Sequence, residues 1–289
     1  MATDIQTIDI TKQNIYGNCD LKCSYNYKYS ESNSVATNKG VYISLSYDKG
    51  TTAPVTYNNQ NYYVSNIMLT NKSLHMFDGK FVDSEIIVEH SPELGGDNFF
   101  VCLPIISSTN NSDASNFLSE VIEIVSKNTP TEGDSTNLNI SNFNLNNFIP
   151  KKPFYAYTGT SGLTGQVLVY DLNYAIALND KVLKKITKII TPYPISLTGG
   201  NLFFNKIGPN NIQLENGIYI SCQPTGTSTE EVDVMNVNNN IYSSLDSSDM
   251  SNIFYILLSF VVFIILFGII SFIYNSLTSS PIKLLEKTR

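Results

Sequence analysis

SLHMFDGKFVDSEIIVEH, residues Ser73 to His90, holds both histidines of the chain, His75 and His90, and decides how the rest is read. Its second half, SEIIVEH, is one of a series of short β-rich runs that continue on either side, cut by Asn, Gly, Ser and Pro clusters. The others are GVYISLSYD, NYYVSNIMLT, NFFVCLPII, GQVLVYDL and NGIYISCQP. Two stretches have helical spacing instead: Ser115 to Lys127, with Phe117, Leu118, Val121, Ile122 and Val125 recurring three and four apart, and Asn179 to Ile190. The class is mainly β with a few helices (α+β).

The chain has 289 residues, 42% hydrophobic and 15% charged, long enough to bury a core without disulfide staples. Of its 18 basic residues only Arg289 is arginine, which argues against groove readout of nucleic acid, where the bidentate guanidinium does much of the work. Two histidines exclude a histidine-rich metal centre. Cys19 and Cys23, in CDLKC, have the spacing of half a zinc site whose other half would be Cys102 and Cys222. The alternative is free or incidentally paired thiols, with Cys102 buried in an apolar strand. The asparagine-rich composition matches AT-rich coding.

Ile253 to Tyr274, IFYILLSFVVFIILFGIISFIY, has no charged side chain and is long enough to cross a hydrocarbon core of ~30 Å. It reads as one C-terminal transmembrane helix, residues 252–274, so a membrane is the first expected partner. Residues 225–251 are a polar, acidic stalk, 275–289 a short basic tail, and 1–224 the large domain. Lys283, Lys287 and Arg289 after the span would hold the tail inside and the domain outside. The N-terminus lacks a signal peptide, and insertion after synthesis would put the domain on the cytosolic face. Sequons at Asn71, Asn110 and Asn139 matter only in the outward orientation.

The Ser73–His90 stretch resembles the α-carbonic anhydrase segment SEHTVDGKxxxAELHLVH, matching at Ser73, His75, Asp78, Gly79, Lys80, Glu85 and His90. Tyr62 to Thr70 stands where the family has YxLxQFHFH, and Ile8-Asp9-Ile10 is similar to an early SPIxI element. FNLNNFIPKKPFYAYTGTSGLTGQV is similar to LxxLLPxxxxYxxYxGSLTTPPCxExV through Pro150, Tyr155, Tyr157, Gly159 and Val167. The resemblance covers most of residues 5–190 and implies a central twisted mixed sheet with a few surface helices.

It also implies an inactive site. The family's zinc histidines fall on Met68, Thr70 and Ile87, its hydrogen-bonding threonine on Gly162, and that threonine's glutamate partner on Leu74. A thioether, a hydroxyl and a hydrocarbon do not replace three imidazoles on a tetrahedral zinc, so no metal, no cofactor and no CO2 hydration are expected. His75 and His90 match non-ligand positions and are expected to make structural hydrogen bonds within the sheet. Glu85 matches a glutamate that orients a ligand imidazole, here left to local bonding.

An anchored anhydrase homologue without its histidines resembles the cell-surface-binding proteins of poxviruses, which implies a virion-membrane protein of a large DNA virus, its domain exposed and bound to host glycosaminoglycan or another receptor. Outside the tail the chain carries 15 basic and 24 acidic residues, so only a local patch would attract a sulfated polymer. The candidate is DKVLKKITK, where Lys181, Lys184, Lys185 and Lys188 share one helix face, with Lys151 and Lys152 as a second pair. A structural virion protein without a ligand, a protein-receptor binder using an apolar pocket of Met68, Thr70, Ile87 and Leu163, and a residual anhydrase are the alternatives.

Overall fold

The computed structural model describes residues 8–210, apart from 111 and 141. The NGIYISCQP run, Cys222, the stalk, the span at 252–274 and the tail lie outside the described residues. Among the described residues no helix is long and apolar enough to cross a membrane.

Ten strands form the main path of a 14-stranded mixed sheet. In chain order they are β1 (Ile15–Asn18), β2 (Val35–Asn38), β3 (Tyr42–Leu45), β4 (Gln60–Asn71), β5 (Ser84–Pro92), β6 (Asn98–Ser107), β7 (Ser135–Asn137), β8 (Phe154–Ser161), β9 (Gly165–Tyr170) and β10 (Leu202–Asn205). Their spatial order is β7-β2-β3-β4-β5-β6-β9-β8-β10-β1. Most neighbours are antiparallel, but β6 runs parallel to β9 and β10 parallel to β1. A separate three-stranded sheet joins Asp9–Ile10, Met76–Phe77 and Lys80–Phe81. The β-rich runs of the sequence thus become β3, β4, β5, β6 and β9.

Both helices form where the spacing places them, α1 over Asp113–Asn128 and α2 over Asp180–Ile189. The Ser112 and Asn179 side chains accept backbone N–H groups at their starts, satisfying donors the first turn leaves unpaired. Lys127 and Lys188 stand in the last turns, where a cation complements the helix dipole.

The middle strands β4, β5, β6 and β9 carry runs of consecutive buried residues, which is why they are nearly continuous apolar runs rather than strict alternations. Because strand side chains alternate, each strand feeds two cores. Ile67, Leu69, Ile86, Val88, Val101, Leu103, Leu168 and Tyr170 belong to one large core cluster that also takes in Leu118, Val121, Ile122 and Val125 of α1. The intervening residues Met68, Ile87, Cys102, Val167 and Val169 enter a second cluster on the opposite face.

Candidate functional site

The positions aligned with the anhydrase metal ligands fall on this second face. Pairing puts Met68 opposite Ile87 and Thr70 opposite Glu85, Ile87 opposite Cys102, Cys102 beside Val169, and Val169 opposite Tyr155. The row Met68–Ile87–Cys102–Val169–Tyr155 therefore crosses five adjacent strands at ~4.8 Å intervals. Ile87 and Val169 are fully buried, and Leu163 and Leu197 close over the same cluster. Met68, Ile87 and Leu163, expected to line an apolar pocket, are buried members of this cluster. Thr70 is not: its buried hydroxyl donates to the Lys72 and Glu85 carbonyls at 2.9 and 3.2 Å.

These residues do not fit a zinc ion. Ile87 has no donor atom, the Thr70 hydroxyl is committed to backbone, and a lone thioether suits softer metals. Gly162 carries the same message. Its φ is +79°, and a β-carbon there would stand 2.6 Å from Leu197 Cδ2 and 3.1 Å from the Ser196 carbonyl. A threonine cannot occupy this backbone unless the 195–197 segment moves. Leu74, at the family's glutamate position, is buried in the same apolar cluster.

Polar chemistry on this face is gathered one row away, around His75. Glu85 Oε2 accepts the backbone N–H groups of Leu74 (2.8 Å) and His75 (3.2 Å), and Oε1 meets His75 Nδ1 at 2.7 Å. His75 Nε2 meets the Tyr157 hydroxyl at 2.9 Å. Cys102 Sγ, with donor atoms of His75 and Glu85, completes a trio within 4.8 Å, close enough for a metal ion. Both imidazole nitrogens and both carboxylate oxygens already have protein partners, however, and all three residues are wholly buried. The arrangement therefore reads as a satisfied hydrogen-bond network. Burial pushes the Tyr157 phenol well above its usual range, and burial with the nearby Glu85 does the same to the Cys102 thiol, so neither is a poised base or nucleophile.

His90 occupies the other core. Nδ1 meets the Phe99 carbonyl at 3.0 Å and Nε2 the Tyr29 hydroxyl at 2.9 Å, which continues to Tyr25 at 3.1 Å. Burial lowers its pKa to about 4, so it is neutral near pH 7. Both histidines hold structural hydrogen bonds, as their family positions imply. Tyr157 and Tyr29 went unread as their partners because they lie 82 and 61 residues away in sequence.

The candidate glycan lysines are partly spent within the protein. Lys181, Lys184 and Lys188 are exposed on α2, but Lys184 pairs with Asp180 at 2.9 Å, and Lys185 is half-buried and bonded to Glu123 on α1. Lys151 and Lys152 are exposed just before β8, outside α2. An open groove of about 410 Å³ lies elsewhere, with the Lys49 ammonium 4.6 Å from the Tyr63 ring centre and the Tyr63 hydroxyl donating to Glu93. Cys19 and Cys23 form a disulfide, which removes them from any zinc site; Cys102 is free and buried.

No protein-family model and no curated protein sequence matches the chain. Solved structures do match. Dioscorin, in a crystal structure complexed with ascorbate, superposes with a TM-score of 0.55 at 14% identity, over 71% of this chain and 87% of that one. The α-carbonic anhydrase of Thermovibrio ammonificans gives 0.52 at 15% identity, over 66% and 85%. A carbonic anhydrase of Chlamydomonas reinhardtii gives 0.53 at 12%, over 69% and 89%. At these identities the likeness shows the fold alone, and that fold is the one seen in α-carbonic anhydrases.

Proposed function

We propose that the domain is a zinc-free, non-catalytic module that uses an anhydrase-like scaffold as a surface for binding. One observation carries this reading. Where the resemblance puts three imidazoles, the chain has Met68, Thr70 and Ile87: the Thr70 hydroxyl is bonded to backbone carbonyls, and Met68 and Ile87 share a buried apolar cluster with Leu163 and Leu197. Hydration chemistry needs a metal-bound water brought to a pKa of ~7, and a thioether, a committed hydroxyl and a hydrocarbon do not supply the zinc ligands for it. Purified full chain supplied with zinc should hydrate CO2 no faster than buffer; hydration that depends on chain concentration and is blocked by a sulfonamide would overturn the proposal.

The setting we propose is a membrane surface, that of a large DNA virus, with the apolar segment 252–274 as anchor and the domain facing outward to engage a host glycosaminoglycan or another receptor. The resemblance to anchored viral homologues and the basic tail after the span support it. The exposed ammonium groups of Lys181, Lys188, Lys151 and Lys152 are the groups that would meet a sulfated polymer. The groove at Lys49, Tyr63 and Glu93 favours a second reading, a protein receptor. It is open to solvent and presents the Tyr63 ring, an aromatic side chain of the kind that protein interfaces favour. Binding of the full chain to immobilised heparin, compared with binding to cells stripped of glycosaminoglycan, separates the two.

A further inference from the structure

We infer that Asn110 and Asn139, and not Asn71, are N-glycosylation sites. The three sequons, Asn71-Lys72-Ser73, Asn110-Asn111-Ser112 and Asn139-Ile140-Ser141, are equal as sequence motifs. The structure makes them unequal. Asn71 ends β4 half-buried, and its side-chain amide donates to the Ile190 carbonyl at 2.8 Å. Its hydroxyl residue is buried too: Ser73 Oγ donates to the His75 carbonyl at 2.7 Å and accepts the Val82 N–H at 2.9 Å. A glycan on Asn71 would wedge into the seam where the end of α2 meets β4.

The other two asparagines are exposed. Asn110 lies in the loop between β6 and α1, and Asn139 in the loop after β7, in the left-handed conformation at φ +51° that asparagine tolerates in turns. Among the described residues neither side-chain amide is bonded to protein, in contrast to that of Asn71. Ser112 keeps its own role, its Oγ accepting the Ser115 N–H at the start of α1.

Two further features place these loops on the side of the membrane where the modification occurs. Cys19 and Cys23 are disulfide-bonded, the state of cysteines in an oxidising compartment. Lys283, Lys287 and Arg289 follow the apolar span, which orients the tail inside and the domain outside. The donor is a lipid-pyrophosphate-linked oligosaccharide. Transfer forms a bond between the asparagine amide nitrogen and the anomeric carbon, breaks the bond from that carbon to pyrophosphate, and releases the lipid pyrophosphate with the amide proton.

The inference rests on the outward orientation proposed above, and its test separates the two. The full chain is expressed in eukaryotic cells, membranes are recovered as sealed microsomes, and the protein is treated with a glycan-removing amidase. The expected result is a mass loss of two N-glycans. N110Q and N139Q should each remove one glycan, the double variant both, and N71Q neither. Zero or one glycan on a domain protected from external protease, or a glycan at Asn71, overturns the site assignment alone. A domain digested in sealed microsomes overturns the orientation with it. Thermal unfolding of the double variant at the midpoint of the unglycosylated parent shows that the glutamines leave the fold intact.

Discussion

The two faces of the central strands are both buried and unequally made. Beneath α1 the core is a conventional apolar one, and its buried histidine, His90, has neutral partners, a carbonyl and a phenol. On the opposite face Met68, Ile87, Leu163 and Leu197 belong to one apolar cluster, and the buried histidine, His75, meets a carboxylate. The second face is thus filled by apolar side chains, as the first is. The neighbouring polar network is internal scaffolding.

Removing the carboxylate should hurt most. Glu85→Ala strips partners from His75 Nδ1 and from two backbone N–H groups in a fully buried place, and should cost about 3–5 kcal/mol in chemical denaturation. A cost below about 1 kcal/mol would mean that water reaches this face.

Ile86 and Ile87 compare the faces directly, because adjacent strand residues point to opposite cores. Ile86→Ala and Ile87→Ala should each lose about 2–5 kcal/mol, since both side chains are buried, at 1% and 0% exposure. A near-neutral Ile87→Ala beside a costly Ile86→Ala would show the second face to be an open pocket.

Acid should act on the first face through His90. Its pKa falls from 6.5 unfolded to about 4 folded, so between these values the unfolded chain binds more protons. The stabilisation is therefore complete above pH 6.5 and declines as the pH falls toward 4, by on the order of 3 kcal/mol at 1.36 kcal/mol per unit. Denaturation midpoints measured across this window should show the decline in the parent, and a shallower one in His90→Gln.

The smallest effects belong to the surface. Lys184 and Lys185 are ion-paired and contribute about 0–1 kcal/mol each. Replacing Lys181, Lys188, Lys151 and Lys152 by Gln, which leaves both pairs intact, should keep stability within about 1 kcal/mol while abolishing weak, salt-sensitive heparin retention. Unchanged retention would remove these lysines from the binding surface.

Much of the fold was legible because the signals were local. The spacing of Leu118, Val121, Ile122 and Val125 defines α1, and the apolar runs of β4, β5 and β6 define the middle of the sheet. That Met68, Thr70 and Ile87 stand at metal-ligand positions is an expectation from the family resemblance. Contacts between distant segments could not be seen. Tyr157 reaches His75 across 82 residues, and Lys185 meets Glu123 across 62, which turned an expected lysine face into a partly paired one. The short strands β1, β2, β7 and β10 carry too few residues for a period to show. Gly162 could be aligned, but the contact with Leu197 that excludes a side chain exists only in three dimensions.

Metal content of the full chain, purified without chelator and after incubation with zinc, tests the account most directly. The packing of Met68, Thr70 and Ile87 requires that no zinc co-purify in stoichiometric amount and that added zinc leave the unfolding midpoint unchanged. One tightly held zinc per chain would contradict it.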